Sequence, residues 1–175
     1  RDAKVFNTIL GGPVIDNIVD IHIEWAPDKA VCLNDGTSFD TYIEFMHKGH
    51  LCGIGIEVKY TEEGYPFGKT EYHEVMENDQ SRYAEVTAEC GLYKSEITSR
   101  PIRETDLCKN NYRQIWRNHI LGESMVKNLK LEHPLEEFHT LTLYPSGNTH
   151  FKMVLPDYQS LLTEYGKSRF HSIIS

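Results

Sequence analysis

The sequence predicts a layered α/β or α+β domain with a mixed central sheet. Three observations carry that reading. Segments near residues 18–25, 38–45 and 53–60 alternate apolar with polar residues, as half-buried strands do. A stretch from Asn110 to about Lys130 carries apolar residues at a helical period. Further strand-like residues and a short helix close the chain, so the order is strands, helices, strands, helix.

Each element has its own signal. Ile18 to Trp25 (IVDIHIEW) alternates along its length. In Ser38 to Phe45, Phe39, Thr41, Ile43 and Phe45 share one face, with Asp40, Tyr42 and Glu44 on the other. In Gly53 to Tyr60, Ile54, Ile56, Val58 and Tyr60 share a face opposite Gly55, Glu57 and Lys59. His47-Lys48-Gly49-His50 between them reads as a hairpin loop. Tyr60 to Tyr72, rich in Gly, Pro and charge, reads as a loop, and His73 to about Cys90 as a polar helix. Gly91 to Thr105 is a connector. In the helix of about 109–130, the period runs through Tyr112, Ile115, Trp116, Ile120, Leu121 and Met125. Glu137 to Tyr144 and Thr149 to Leu155 suggest a second hairpin around Pro145-Ser146-Gly147-Asn148, and Pro156-Asp157 a final helix to about Tyr165. No clear helix precedes Ile18.

Composition narrows the class. A length of 175 residues suits a single domain spanning 1–175. Ten Tyr and seven Phe argue for a packed core rather than disorder. The formal charge of −8 argues against a protein that coats nucleic acid through bulk positive charge, yet an enzyme with a carboxylate site is acidic by design. Cys32, Cys52, Cys90 and Cys108 form no CxxC and read as reduced thiols of a cytoplasmic protein. No apolar run approaches the roughly 18 residues of a membrane helix, so no membrane partner is expected. The first residue is Arg1 rather than Met, so the sequence is read as lacking an N-terminal segment.

The chemistry concentrates on the first hairpin. If both apolar faces point to one core, Asp40, Tyr42 and Glu44 share a face with Gly55, Glu57 and Lys59. A loop centred between Gly49 and His50 then pairs Asp40 with Lys59, Tyr42 with Glu57 and Glu44 with Gly55, leaving open space at Gly55. Carboxylates so close raise one another's pKa, and a hard divalent cation removes the conflict. Mg²⁺ takes one or two carboxylates and completes its shell with water and phosphate. The plainer reading is an exposed sheet face with a cross-strand ion pair, contributing about 0.2–1 kcal/mol.

Asp40 followed, seventeen residues on, by Glu57-Val58-Lys59 resembles the D…(D/E)xK signature of the PD-(D/E)xK, restriction-endonuclease-like, nuclease superfamily. The wording Gly55-Ile56-Glu57-Val58-Lys59-Tyr60-Thr61-Glu62 and Gln114-Ile115-Trp116-Arg117-Asn118-His119 resembles a bacterial branch of that superfamily. The resemblance implies an α/β restriction-endonuclease-like core, its mixed central β-sheet flanked by helices, and metal-dependent hydrolysis of DNA. It implies Asp40 and Glu57 as ligands of Mg²⁺ or Mn²⁺, the Val58 carbonyl completing the shell, and Lys59 as the catalytic lysine. Gln114, Arg117 and the adjacent Arg113 become candidates for substrate contact. Phe39 stands where the family's usual Pro precedes the Asp. Many members add a Glu from an N-terminal helix; Glu44 is the candidate substitute here.

Other readings stay beside this one. His47, His50 and Cys52 form H-x-x-H-x-C but lack an evident fourth zinc ligand, and a polar hairpin loop accounts for them. From Lys94 to Arg117 the balance turns positive through Lys94, Arg100, Arg103, Lys109, Arg113 and Arg117, which suits a phosphate backbone or a solvated connector equally. Tyr93 and Tyr112 read as packing residues more than as base-stacking ones. The alternative to a nuclease is a non-catalytic nucleic-acid- or protein-binding module on the same fold. Homo-oligomerisation is left open.

Overall fold

A computed structural model describes residues 3–12, 14–61 and 68–175. Its centre is a five-stranded mixed sheet in the order β1-β2-β3-β4-β5: Asn17–Trp25, Phe39–His47, His50–Val58, Glu137–Tyr144 and Phe170–Ile174. The first three strands form an antiparallel meander, while β4 and β5 run parallel to β3. The helices are α1 (Lys4–Ile9) before β1, α2 (Lys69–Tyr72), α3 (Arg82–Glu89), α4 (Ser95–Thr98) and α5 (Arg113–Glu123) between β3 and β4, and α6 (Thr149–Gln159) and α7 (Glu164–Arg169) between β4 and β5. The sheet is mixed and flanked by helices, as the sequence predicts.

The two faces of the sheet carry two apolar clusters. On one, Ile18, Ile43, Phe45, Cys52, Ile54 and Leu141 are buried under Phe6, Ile9 and Leu10 of the α1 region. That short helix before β1 was not evident in the sequence. On the other, Tyr42 and Phe138 meet Trp116, Ile120 and Leu121 of α5 and Phe151, Val154, Leu155 and Tyr158 of α6. Three glycines let α5 approach. A Cβ at Gly122 would lie 1.9 Å from the Phe138 ring, and Cβ atoms at Gly53 and Gly55 would lie 3.0 and 2.8 Å from it. The Phe138 ring therefore sits in a slot between helix and sheet.

The register of β2 on β3 differs from expectation by two residues. The turn is Lys48-Gly49, with φ of 49° and 83°, and both positive values suit a two-residue type I′ hairpin. Thr41 then faces Ile56, Tyr42 faces Gly55, and Glu44 faces Gly53. Pairing stops at Thr41 and Ile56, so the expected pairs of Asp40 with Lys59 and Tyr42 with Glu57 do not form. A shift of two keeps every side chain on its predicted face. Phe39 is the exception: its ring packs with the α5-side cluster, 2.5 Å from a Cβ placed on Gly55. The open space expected at Gly55 is therefore filled.

Further expectations are corrected. The helix expected over 73–90 breaks into a π-helical turn (His73–Glu77) and α3, because Ser81 caps a new start by accepting from the Ala84 N–H at 3.2 Å. The helix expected over about 109–130 is shorter, Arg113–Glu123. The second hairpin does not form: 149–155 belongs to α6, capped by Asn148 Oδ1, which accepts from Phe151 N at 3.1 Å. Pro156 lies inside α6 rather than starting a helix, and β4 pairs with β5 instead. The expected loop over 60–72 ends in α2, and its residues 62–67 lie outside those described.

Candidate active site

The site forms where β2 separates from β3. Paired residues end at Thr41 and Ile56, and beyond that point the Asp40 side chain takes over as partner of β3. Val58 N donates to Asp40 Oδ2 at 2.7 Å. Alternation along β3 brings Glu57 and Lys59 to one face, where Lys59 Nζ donates to Glu57 Oε1 at 2.5 Å. The other oxygen, Oε2, accepts from Asn118 Nδ2 of α5 at 2.7 Å. Glu57 is thus gripped from its own strand and from the helix above.

Asp40, Glu57, Gln114, Arg117 and Asn118 line one cavity of about 270 Å³, together with Gly36, Thr37 and Ser38. Burial raises the Glu57 carboxyl above the usual carboxylate range despite the adjacent Lys59 ammonium, and Asp40 adds to the rise. Lys59 is itself buried, 5% exposed. Two carboxylates facing one polar cavity, one of them strained toward protonation, have the donor chemistry of a hard cation. Among the described residues, no group of three or more His, Cys, Asp or Glu is arranged to hold a metal, so His47, His50 and Cys52 do not form a site. A larger cleft of about 530 Å³ opens elsewhere, beside Glu123 and Lys127. Chemistry rather than size therefore marks the candidate.

The predicted residues do not all converge. Glu44 faces Gly53 and accepts from the Tyr42 hydroxyl at 3.2 Å. It lies four residues along β2 from Asp40, about 13 Å at strand rise, and does not line the cavity. Gln114 and Arg117 do line it. Arg113 stands beside it, with its guanidinium on both carboxylate oxygens of Glu71. Arg117 donates from Nη1 to Glu71 Oε1 at 2.7 Å, from Nη2 to Asp35 Oδ2 at 2.8 Å, and from Nε to Thr37 Oγ1 at 3.1 Å. Burial alone would raise the Asp35 carboxyl, but the Tyr83 hydroxyl, the Thr37 N–H and Arg117 together hold it low.

Sequence reasoning missed Asn118, Asp35 and Glu71. Asn118 was recoverable, since it lies four residues after Gln114 on the same helical face. Asp35 and Glu71 meet Arg117 only through tertiary folding. The positive stretch of 94–117 is not a free basic strip. Arg103 meets Asp79 at 2.5 Å, Lys109 meets Asp106 at 2.9 Å, and Arg113 and Arg117 meet the acids above. Tyr93 and Tyr112 are core residues, 3% and 4% exposed.

No helix among the described residues is long and apolar enough to cross a membrane. No curated protein and no solved structure matches the chain. The family description of the PD-(D/E)XK nuclease superfamily matches residues 1–174. With that match spanning nearly the whole chain, and the Asp, Glu and Lys of the signature assembled at the end of one hairpin, the chain belongs to the PD-(D/E)XK nuclease superfamily.

Proposed function

We propose that this protein hydrolyses phosphodiester bonds in DNA with Mg²⁺ or Mn²⁺ held by Asp40 and Glu57. The observation that carries the reading is the facing pair of carboxylates on adjacent strands, lining one cavity with Lys59 Nζ 2.5 Å from Glu57 Oε1. Val58 completes the proposed ligand set. In an extended strand a residue's N–H and C=O point to the same edge, and the Val58 N–H points at Asp40, so its carbonyl points there too. Glu44 stands outside that set. A divalent cation bound there acidifies water and neutralises charge at phosphorus.

The protein's own groups then have separable tasks. Asp40 and Glu57 converge on the cation's place, Asp40 oriented by one hydrogen bond and Glu57 by one on each oxygen. Lys59 presents an ammonium whose proton is available to the phosphoryl oxygen on which negative charge grows. Asn118 holds the Glu57 carboxylate in plane while Lys59 turns to substrate. Gln114 and Arg117 on the cavity wall orient the phosphate. Water adds to phosphorus and gives up a proton to solvent, the P–O bond to the leaving oxygen breaks, and that oxygen takes up a proton from solvent, giving a phosphomonoester and an alcohol.

The binding-module alternative is weakened by the pairing of its basic residues with acids. The test is cleavage of supercoiled plasmid, single-stranded DNA and RNA with and without Mg²⁺. Wild type should nick DNA only with metal, and Glu57→Ala and Lys59→Ala should each lose at least about 10²-fold, the scale of removing one group that stabilises developing charge. Cleavage that survives Glu57→Ala would remove the site from consideration.

A further inference from the structure

Arg113 and Arg117 stand four residues apart on α5, so their side chains lie on one face, one above the other. Both reach the same carboxylate, Glu71. Arg113 meets both Glu71 oxygens from Nη2 and Arg117 meets Oε1 from Nη1, and guanidinium N–H groups donate to phosphate oxygens as they do to carboxylate ones. Arg117 also lines the cavity of Asp40 and Glu57, so one of the two arginines that hold the anion reaches the proposed point of cleavage. We propose that Arg113 and Arg117 form a seat for a backbone phosphate of the nucleic acid, and that Glu71 fills it as an internal substitute that substrate displaces. This rests on the nuclease reading for the identity of the anion.

The anchoring of the groups is unequal, as displacement requires. Arg117 is fixed independently of Glu71. Asp35 and Thr37 hold it, and its guanidinium lies over the Tyr83 ring, 5.9 Å from the centroid. Glu71 belongs to a four-residue helix that buries none of its residues, and its side chain is 30% exposed. Removing Glu71 leaves Arg117 aimed as before, and the incoming phosphate takes over from Glu71 the charge of the largely buried Arg113. In an acidic chain, the arrangement also keeps stray anions from two arginines until a polyanion brings several charges at once.

The experiment is binding of fluorescent single-stranded and duplex DNA oligonucleotides, followed by anisotropy in buffer without divalent metal, so that no hydrolysis intervenes. Glu71→Gln should tighten binding about 5- to 20-fold, and Arg113→Ala added to it should abolish the gain. Glu74→Gln removes the same charge three residues away and should leave binding unchanged. Glu71→Asp, which keeps the charge but shortens the reach, should tighten binding as well, and it serves if the Gln variant unfolds. No gain for either Glu71 variant, with circular dichroism unaltered, overturns the proposal. An equal gain from Glu74→Gln overturns it too, because the effect would then be bulk charge. Failure here with metal-dependent cleavage intact leaves the nuclease standing without the seat. A gain in binding with no cleavage by any form removes the nuclease and keeps the seat.

Discussion

Gly122→Ala tests how the helix layer sets the site. The added Cβ would meet Phe138 Cδ1 at 1.9 Å and Cε1 at 2.0 Å, whereas carbon atoms rest about 3.5–4.0 Å apart. Helix and sheet must therefore separate by roughly 1.5–2 Å, or the fully buried Phe138 ring must leave its slot. Overpacking of this kind costs about 1–3 kcal/mol, occasionally more, against about 1 kcal/mol gained by Ala over Gly in a helix. The clash is backed by ring and sheet on both sides, so the upper end applies, and a net loss of about 2 kcal/mol is expected. For a chain of this size that lowers Tm by about 4–8 °C. Asn118 lies one turn before Gly122 on the same face, so its bond to Glu57 lengthens and metal-dependent cleavage should fall in parallel. The assays are thermal unfolding and plasmid nicking on Gly122→Ala, Phe138→Leu and the double variant. Leu in the slot should recover part of the loss, giving a coupling of at least about 1 kcal/mol. A Gly122→Ala protein with raised Tm, or strictly additive variants, would refute the close approach.

Other outcomes follow from the same geometry. Asn118→Ala should reduce cleavage about 10-fold or more with a change in Tm of only a few degrees, because it frees the Glu57 carboxylate; kinetics at saturating Mg²⁺ check this. Gly49→Val should lower stability by about 1–2 kcal/mol, since φ of 83° disfavours a branched residue; urea unfolding measures it. Stability should also peak near pH 6.5. Burial lowers His119 and His139 to about 3 and His171 to about 4, with neighbouring His171 or Arg169 adding to the effect. Their contribution is complete above the unfolded value of about 6.5 and is lost as pH falls through the folded values. Burial pushes Glu123 up to about 8, so its contribution is complete below about 4.3 and is lost as pH rises to 8. Below pH 6.5 three histidines outweigh one carboxyl. Thermal unfolding from pH 4 to 8.5 should therefore show a maximum, and a curve rising monotonically to pH 8.5 would contradict the burial of Glu123.

Much of the candidate site's geometry was legible because it is local. Alternation put Glu57 and Lys59 on one face of β3, and the two-residue register error still left Asp40 at the end of the neighbouring strand, where it meets Val58 N. The error itself came from the turn: Lys48 takes a positive φ that nothing in a lysine announces. The second hairpin failed for a different reason. Thr149 to Leu155 passes for a strand, yet Phe151, Val154, Leu155 and Tyr158 fall at i, i+3, i+4 and i+7 behind a capping Asn148, which is a helical pattern. Strand β5 was missed because only parallel pairing with β4 stabilises its five residues. Glu71 and Asp35 were beyond reach, because their partners on α5 lie 42 to 82 residues away in sequence.

The hydrogen bond from Val58 N to Asp40 gives one residue two obligations. It ends the pairing of two strands and, on the reading above, grips the cation. A descendant that abandoned the chemistry could therefore not discard the residue freely, because an aliphatic replacement would strand a backbone amide at the rim of the sheet. Asparagine keeps an acceptor oxygen within reach of that amide but gives up the charge. Relatives bearing Asn at this position, with the rest of the hairpin intact, would be the expected remains of lost cleavage.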